Sequence, residues 1–318
     1  ILYKIYCSKQ ADGSLFIVRL VFMGTPGFAV PTLDLLVEYG HDVASVYTKP
    51  DNRSGRGRKI ISPPVKERAD FHGIPVVQPQ TFRNELSFEH LMSLEAEAAI
   101  IAAYGVLLPS QIIEGFPLGC LNIHPSILPK YRGASPVATS ILKGEDTTGV
   151  TVMLLDKGLD TGPVLAQEKV SIGANEKCGE LTDRLFRKGA SLLLKTLDSW
   201  KSGDIDPNPQ DDLKATTTKR LTREDGRIDW RDSSTSILRS IRAFHPWPGT
   251  FTYINGRPLK ILEALKAYEK QTLVLEPGQV HLGDEILVGT GEGNISLKTV
   301  QAEGKKAVSA TEFSLGRR

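Results

Sequence analysis

Short apolar runs alternate with stretches of helical periodicity over the first 200 residues, and this alternation restricts the fold more than any other feature. The runs are LFIVRLVFM at 15–23, DVASVYT at 42–48, IPVV at 74–77 and the strongly apolar AAIIAA at 98–103. Each has the length of a strand, and the stretches near 29–39, 65–72 and 85–94 read as the intervening helices. Strands joined through helices pair in parallel, so the expected architecture is α/β: a Rossmann-like, doubly wound, mostly parallel sheet. The order of its strands is not readable from one sequence.

The turn after the first run, GTPGFA, stands where a dinucleotide-binding protein carries its glycine fingerprint. It does not spell G-x-G-x-x-G, and Pro26 sits inside it, so a nicotinamide cofactor is disfavoured. A tight strand-to-helix turn explains Gly24 and Gly27.

Two further apolar runs carry the chemistry. CLNI, closed by His124 and Pro125, reads as a short buried strand ending in a loop. Residues two apart on a strand share a face, so Asn122 and His124 converge with Cα atoms roughly 6–7 Å apart. An amide and an imidazole aimed at one point suit a developing oxyanion. The second run, VTVMLL at 150–155, leads into LDKGLDTGPVL and Asp160. If this strand is parallel to the first, Asp160 lies at the same carboxyl edge, where ligands of open α/β sheets bind, and its carboxylate orients His124. Asn122, His124 and Asp160 are the candidate catalytic residues, sufficient to pass an acyl group to an amine without metal or covalent intermediate. The segment SILPKYRGASP after His124 holds two Pro and a Gly, and reads as a rigid ligand wall.

Residues 1–14 form an extension of unassigned role, without the marks of a transit or secretory segment. Residues 15–200 form the expected catalytic domain. The polar, acidic segment KSGDIDPNPQDD opens a linker at 201–218. From 219 to 318, runs such as TFTYIN, PLKILEA, EILVGT and NISLKTV are split by Gly, Asn and Pro, as in a small β-barrel. This last part holds 16 Lys and Arg against 12 Asp and Glu, whereas residues 1–218 hold 23 against 25. An excess of +4 modestly favours a polyanion partner. A stronger signal is KPDNRSGRGRKI, which sets Arg53, Arg56, Arg58 and Lys59 around two Gly just after the second strand, in reach of phosphates.

Cysteines stand at 7, 120 and 178 without metal-ligand spacing, which disfavours a zinc site or disulfide framework and points to a reducing compartment. No apolar run approaches the roughly 18 residues of a membrane span. A cytoplasmic, monomeric protein is expected.

NIHPSILPKYRGASP resembles the signature of the 10-formyltetrahydrofolate-dependent formyltransferases, with Ile127 in place of a Leu, a volume-conserving swap. KGLDTGPVL, VFMGTPGFAV, RIDW and RAFHPWPGTF are similar to further segments of that family, so the likeness runs from about Leu15 onward. Within the family it is to the methionyl-tRNA formyltransferases. The resemblance implies an OB-like C-terminal domain that binds tRNA. It implies formyl transfer from 10-formyltetrahydrofolate to the α-amine of methionyl initiator tRNA, and a folate pocket lined by Tyr104, Gly105, Val106, Leu107, Ser126, Ile127, Leu128 and Pro129. It also implies that Arg56 enters the acceptor stem, although the loop opens Pro-Asp-Asn-Arg where the family has Pro-Asp-Arg-Pro. A sugar-nucleotide formyltransferase shares the triad but has no need of the Arg-rich insertion. Glycinamide ribonucleotide formyltransferase is generally a single domain, and a non-enzymatic RNA-binding protein has no need of the triad.

Overall fold

The computed structural model describes residues 17–54, 59–82, 85–267 and 273–316. Its principal sheet has seven strands, in the order Val164–Ser171, Thr147–Leu154, Cys120–His124, Ala98–Ala102, Arg19–Gly24, Asp42–Tyr47 and Val76–Val77. The pairs from Cys120–His124 to Val76–Val77 are parallel. Strand periodicity sorts the side chains into two cores. Leu20, Phe22, Ile100, Leu121 and Ile123 join Leu33, Val65 and Leu193 from the helices Val30–Glu38, Pro64–Phe71 and Cys178–Ser202. On the other face Val21, Met23, Ala99, Ile101 and Cys120 meet Leu91 and Ile112 from the helices Glu85–Met92 and Ser110–Ile113. Helices cover both faces, the doubly wound arrangement expected, and each large aliphatic or Phe side chain fully buried there contributes about 1.5–3 kcal/mol.

One strand runs against expectation. Thr147–Leu154 is antiparallel to Cys120–His124, with His124 opposite Thr151 and Leu121 opposite Leu154. Its C-terminal end therefore lies beside the start of the catalytic strand, and not beside His124. The following loop reaches the site by a different route, described below. The strand is buried on both faces and so reads as a continuous apolar run, the pattern usual for a parallel strand, which is why the sequence alone suggested that direction.

The chain packs into two units. The first comprises residues up to Gly133, Thr148–Val170 and Thr182–Thr217. The second comprises Ala134–Thr147, Ser171–Leu181 and the chain from Thr218. Residues 134–147, expected in the catalytic domain, join the second unit because the helix Pro136–Lys143 packs on the helix Ser234–Ala243. Most of the expected 201–218 linker, through Thr217, belongs to the first unit. It is bonded there: Asn208 and Val164 exchange backbone hydrogen bonds of 2.8 Å.

The second unit is built on a six-stranded antiparallel sheet, ordered Thr250–Ile254, Arg257–Lys266, Asn294–Ala302, Ile286–Gly289 and Val280–Leu282, with Val308–Ser309 pairing off Asn294–Ala302. Ile237 and Ile241 of the helix Ser234–Ala243 fill its core with Ile261, Val288, Ile295 and Val300. All four sequence-predicted runs are strands of this sheet.

Candidate active site

Asn122 and His124 stand on the strand Cys120–His124, on the face opposite Leu121 and Ile123. The apolar residues anchor the strand in the core, which turns the two polar side chains to the other face at 9% and 4% exposure. His124 donates through Nε2 to the Tyr131 carbonyl at 3.0 Å, since a carbonyl only accepts. Its Nδ1 faces Asp160 Oδ2 at 3.7 Å. That separation exceeds a hydrogen bond, so the Tyr131 carbonyl orients the imidazole, and the carboxylate stands across a gap from the free ring nitrogen. Direct orientation of His124 by Asp160, expected from the sequence, is not the geometry found.

Asp160 reaches His124 because its loop folds back from the end of Thr147–Leu154. Gly162 makes the return possible: a Cβ there would stand 2.0 Å from the Leu154 carbonyl oxygen. Asp160 itself adopts a left-handed backbone, φ +54°. Its Oδ2 accepts the Gly133 N–H at 2.7 Å. Sequence, burial and fold thus gather Asn122, His124 and Asp160 at one place.

The segment after His124 is held rigidly. Ser126 Oγ donates to the Lys130 carbonyl at 2.7 Å, Thr151 Oγ1 donates to the Ser126 carbonyl at 2.6 Å, and Gln167 Nε2 donates to the Leu128 carbonyl at 2.8 Å. Ser126 and Leu128 are buried, whereas Ile127 and Pro129 are half-buried. The Leu128–Pro129 peptide is cis. The Ser126 hydroxyl is committed to the loop, so a ligand meets this wall through its backbone and through Ile127 and Pro129.

Tyr104–Leu107 follows the strand Ala98–Ala102, which is parallel to and paired with the catalytic strand, at the same carboxyl edge. Tyr104 packs edge-on against Phe82, and its carbonyl accepts the Thr25 hydroxyl at 2.9 Å. The Tyr104 hydroxyl is buried without a partner among the described residues, and burial pushes its pKa up. Gly105 has φ +71°, and the end of the Lys49 side chain fills the space a Cβ there would take, with Nζ 2.6 Å away. Val106 is half-buried and Leu107 is 88% exposed.

Of the basic segment, the backbone of Asn52–Ser54 pairs antiparallel with Lys59–Ile61, placing Arg53 opposite Ile60 and Lys59 opposite Ser54. Arg56 and Arg58 lie outside the described residues. Sequence reasoning missed Tyr131, Arg132, Gly133 and Gln210, which hold the site through backbone atoms and an amide. Only the density of Gly and Pro around 125–136 hinted at a constructed loop. Among the described residues no group of three His, Cys, Asp or Glu is disposed to hold a metal ion, and no helix is long and apolar enough to cross a membrane.

An α/β unit with an imidazole and a carboxylate facing each other at a strand end, joined to an antiparallel β unit, has parts suited to group transfer. Comparison with known proteins makes the class specific. Residues 18–197 match the formyl transferase family model and residues 220–318 the model of the formyl transferase C-terminal domain. The chain belongs to the formyl transferase family and is a one-carbon transferase. It is 45% identical over 303 residues to the methionyl-tRNA formyltransferase of Chloroflexus aurantiacus, covering 94% of this chain and 97% of that one. It is 44% identical to the methionyl-tRNA formyltransferase of Lachnospira eligens, over 94% and 96% of the two chains. Among solved structures it resembles HypX from Aquifex aeolicus in complex with tetrahydrofolic acid, with a TM-score of 0.65 and 20% identity. That match covers 95% of this chain and 47% of the HypX chain, so the chain spans about half the length of HypX. It also resembles WlaRD, a sugar 3N-formyl transferase, with a TM-score of 0.64 at 20% identity, over 92% and 100% of the chains. These structural likenesses are likenesses of fold.

Proposed function

We propose that the protein transfers a formyl group from 10-formyltetrahydrofolate to the α-amine of methionine esterified to initiator tRNA, as a cytoplasmic monomer. The observation that carries this reading is the meeting of Asn122, His124 and Asp160, with 3.7 Å between the His124 Nδ1 and the Asp160 carboxylate, in a chain 45% identical along nearly its whole length to a methionyl-tRNA formyltransferase.

The amine of an aminoacyl ester is a competent nucleophile near neutral pH, so the protein's task is to hold two reactants and stabilise charge. The amine nitrogen bonds to the formyl carbon, the bond from that carbon to the folate nitrogen breaks, and the amine's proton ends on the departing nitrogen. The Asn122 amide and the Nδ1 edge of His124 face the developing oxyanion. Asp160, across the gap, balances the imidazolium and takes part in relaying the proton. Tyr104–Leu107 and Ser126–Pro129 hold the folate.

Arg53, Arg56, Arg58 and Lys59 contact the acceptor stem. The second unit adds a groove of about 470 Å³ lined by Arg223, Trp247, Phe251, Lys260 and Lys305. Its cations and the half-exposed indole suit an RNA backbone with a stacked base.

Radiolabelled formyl transfer tests the reading with three acceptors: charged initiator tRNA, a charged elongator tRNA and an amino-sugar nucleotide. Rapid transfer to the first is expected. Transfer confined to the sugar nucleotide would replace it by a sugar-nucleotide formyltransferase.

A further inference from the structure

We infer that Gln210, in the stretch that sequence composition marks as a linker, is a positioning residue for the reaction. It sets the loop that presents Asp160. The inference rests on the formyl-transfer reading above, in which Asp160 faces the reacting groups.

The geometry closes on three consecutive residues. The Tyr131 carbonyl accepts from His124 at 3.0 Å, and the Gly133 N–H donates to Asp160 Oδ2 at 2.7 Å. The residue between them, Arg132, is buried and donates through Nε and Nη2 to Gln210 Oε1, at 3.0 and 2.9 Å, and through Nη2 also to Asp212 Oδ1 at 2.8 Å. The other end of the same amide turns to the Asp160 loop, where Nε2 donates to the Asp160 carbonyl at 2.9 Å and to the Gly162 carbonyl at 2.7 Å. Imidazole, carboxylate and loop are therefore tied to one tripeptide, and Gln210 is the link that completes the ring.

The link matters because Asp160 is not held by its own backbone preference. A non-glycine residue at φ +54° keeps that conformation only when its surroundings impose it. The Gly133 N–H fixes the carboxylate, while the two carbonyls on either side of Thr161 are fixed by Gln210. Without the amide the loop retains its covalent path and the Gly133 contact to the carboxylate but loses both backbone clamps, and the approach of Asp160 to His124 Nδ1 loosens. Only an amide meets the demand here, since the oxygen must accept from a guanidinium while the nitrogen donates to two carbonyls. The strap carrying Gln210 is anchored on either side. Asn208 pairs with Val164, and Thr216 Oγ1 accepts the Tyr131 N–H at 2.8 Å.

The test uses the full chain with charged initiator tRNA and 10-formyltetrahydrofolate, comparing Gln210→Ala, Gln210→Glu, Asp160→Ala and the double variant Asp160→Ala/Gln210→Ala. Gln210→Glu keeps the acceptor for Arg132, and with it the fold, but cannot donate to the two carbonyls when ionised. Both single Gln210 variants are expected to lose about 10- to 100-fold in kcat, the scale of a misplaced catalytic group, with KM for either substrate within about threefold. Because Gln210 acts through Asp160, the double variant should be no slower than Asp160→Ala alone. If Gln210→Ala does not fold, Gln210→Glu and its kcat decide. A folded Gln210→Glu within twofold of the wild-type kcat, a loss confined to KM, or losses that multiply in the double variant would each overturn the inference. Full turnover by Asp160→Ala would instead remove the reading of Asp160 on which it rests.

Discussion

With the His124 Nε2 hydrogen engaged by the Tyr131 carbonyl at 3.0 Å, only Nδ1 is open to chemistry, and it is the nitrogen that faces Asp160. On the proposed reading the oxyanion sits on the Nδ1 edge, and the Asn122 amide, on the same face of the strand, is the second donor. Removing one preorganised donor of this kind typically costs about 100- to 1000-fold in turnover. Single-turnover formylation by Asn122→Ala and by His124→Ala should show losses of that size, with the folate dissociation constant little changed. Near wild-type rates in both would eliminate this pair as the oxyanion site. At this scale the sequence was legible as far as the shared strand face of Asn122 and His124 and the nearness of Asp160 to His124. The Tyr131 carbonyl and the Gly133 N–H were illegible, because every residue type offers the same backbone groups and only the folded path aims them.

Loops, more than strands, decide how this site is assembled. The loop after Thr147–Leu154 turns back on Gly162, where an added Cβ would stand 2.0 Å from a backbone carbonyl. Gly162→Ala must move that backbone, so it should destabilise the protein by roughly 1–3 kcal/mol, a common range for a strained point substitution. It should also displace Asp160. Urea unfolding and kcat measured on the same preparation check this, and an unchanged midpoint would contradict the crowding. The basic segment makes a separable prediction. Arg56→Ala should raise the KM for tRNA at least tenfold while folate binding stays within twofold, and equal losses in both would contradict its assignment to the acceptor stem. A third concerns the turn at Thr222–Asp225, where the Lys219 ammonium and the Thr222 donors hold the Asp225 carboxyl down at about 2, below its ordinary 3.8. A depressed folded pKa stabilises above the unfolded value and is lost as pH falls through the folded one. The stability gap between wild type and Asp225→Asn should therefore be full at pH 6 and shrink between about pH 4 and 2, as denaturant midpoints will show. Elements with a hydrophobic period were read from the sequence nearly residue for residue, the helix Val30–Glu38 and the strand Ala98–Ala102 among them. The direction of Thr147–Leu154 and the bonded path of residues 201–217 were not, since pairing direction and polar clamping leave no trace in apolar spacing.

Across the whole molecule, charge is divided unevenly: residues 219–318 carry an excess of four positive charges over a chain whose total is +2. Part of that excess lines the second unit's groove, where Arg223, Lys260 and Lys305 surround Trp247, 58% exposed, with Glu303 the opposing charge. The Arg223 guanidinium lies 5.9 Å from the centre of the Phe251 ring, so cation and aromatic surface are presented together. Neutralising nucleic-acid phosphates releases condensed counterions, so affinity for methionyl initiator tRNA should fall linearly in a log–log plot against salt. The expected slope is about −0.7 to −0.9 for each phosphate engaged. Filter binding between about 50 and 200 mM KCl will measure it. If the groove takes part, Lys260→Ala/Lys305→Ala should flatten the slope by up to about 1.4 to 1.8, the contribution of two phosphates, and leave folate affinity untouched. A wild-type slope near zero would remove electrostatic tRNA binding from this protein. A steep slope unaltered by the double substitution would move the contact away from this groove to other cations, the Arg53–Lys59 segment first among them.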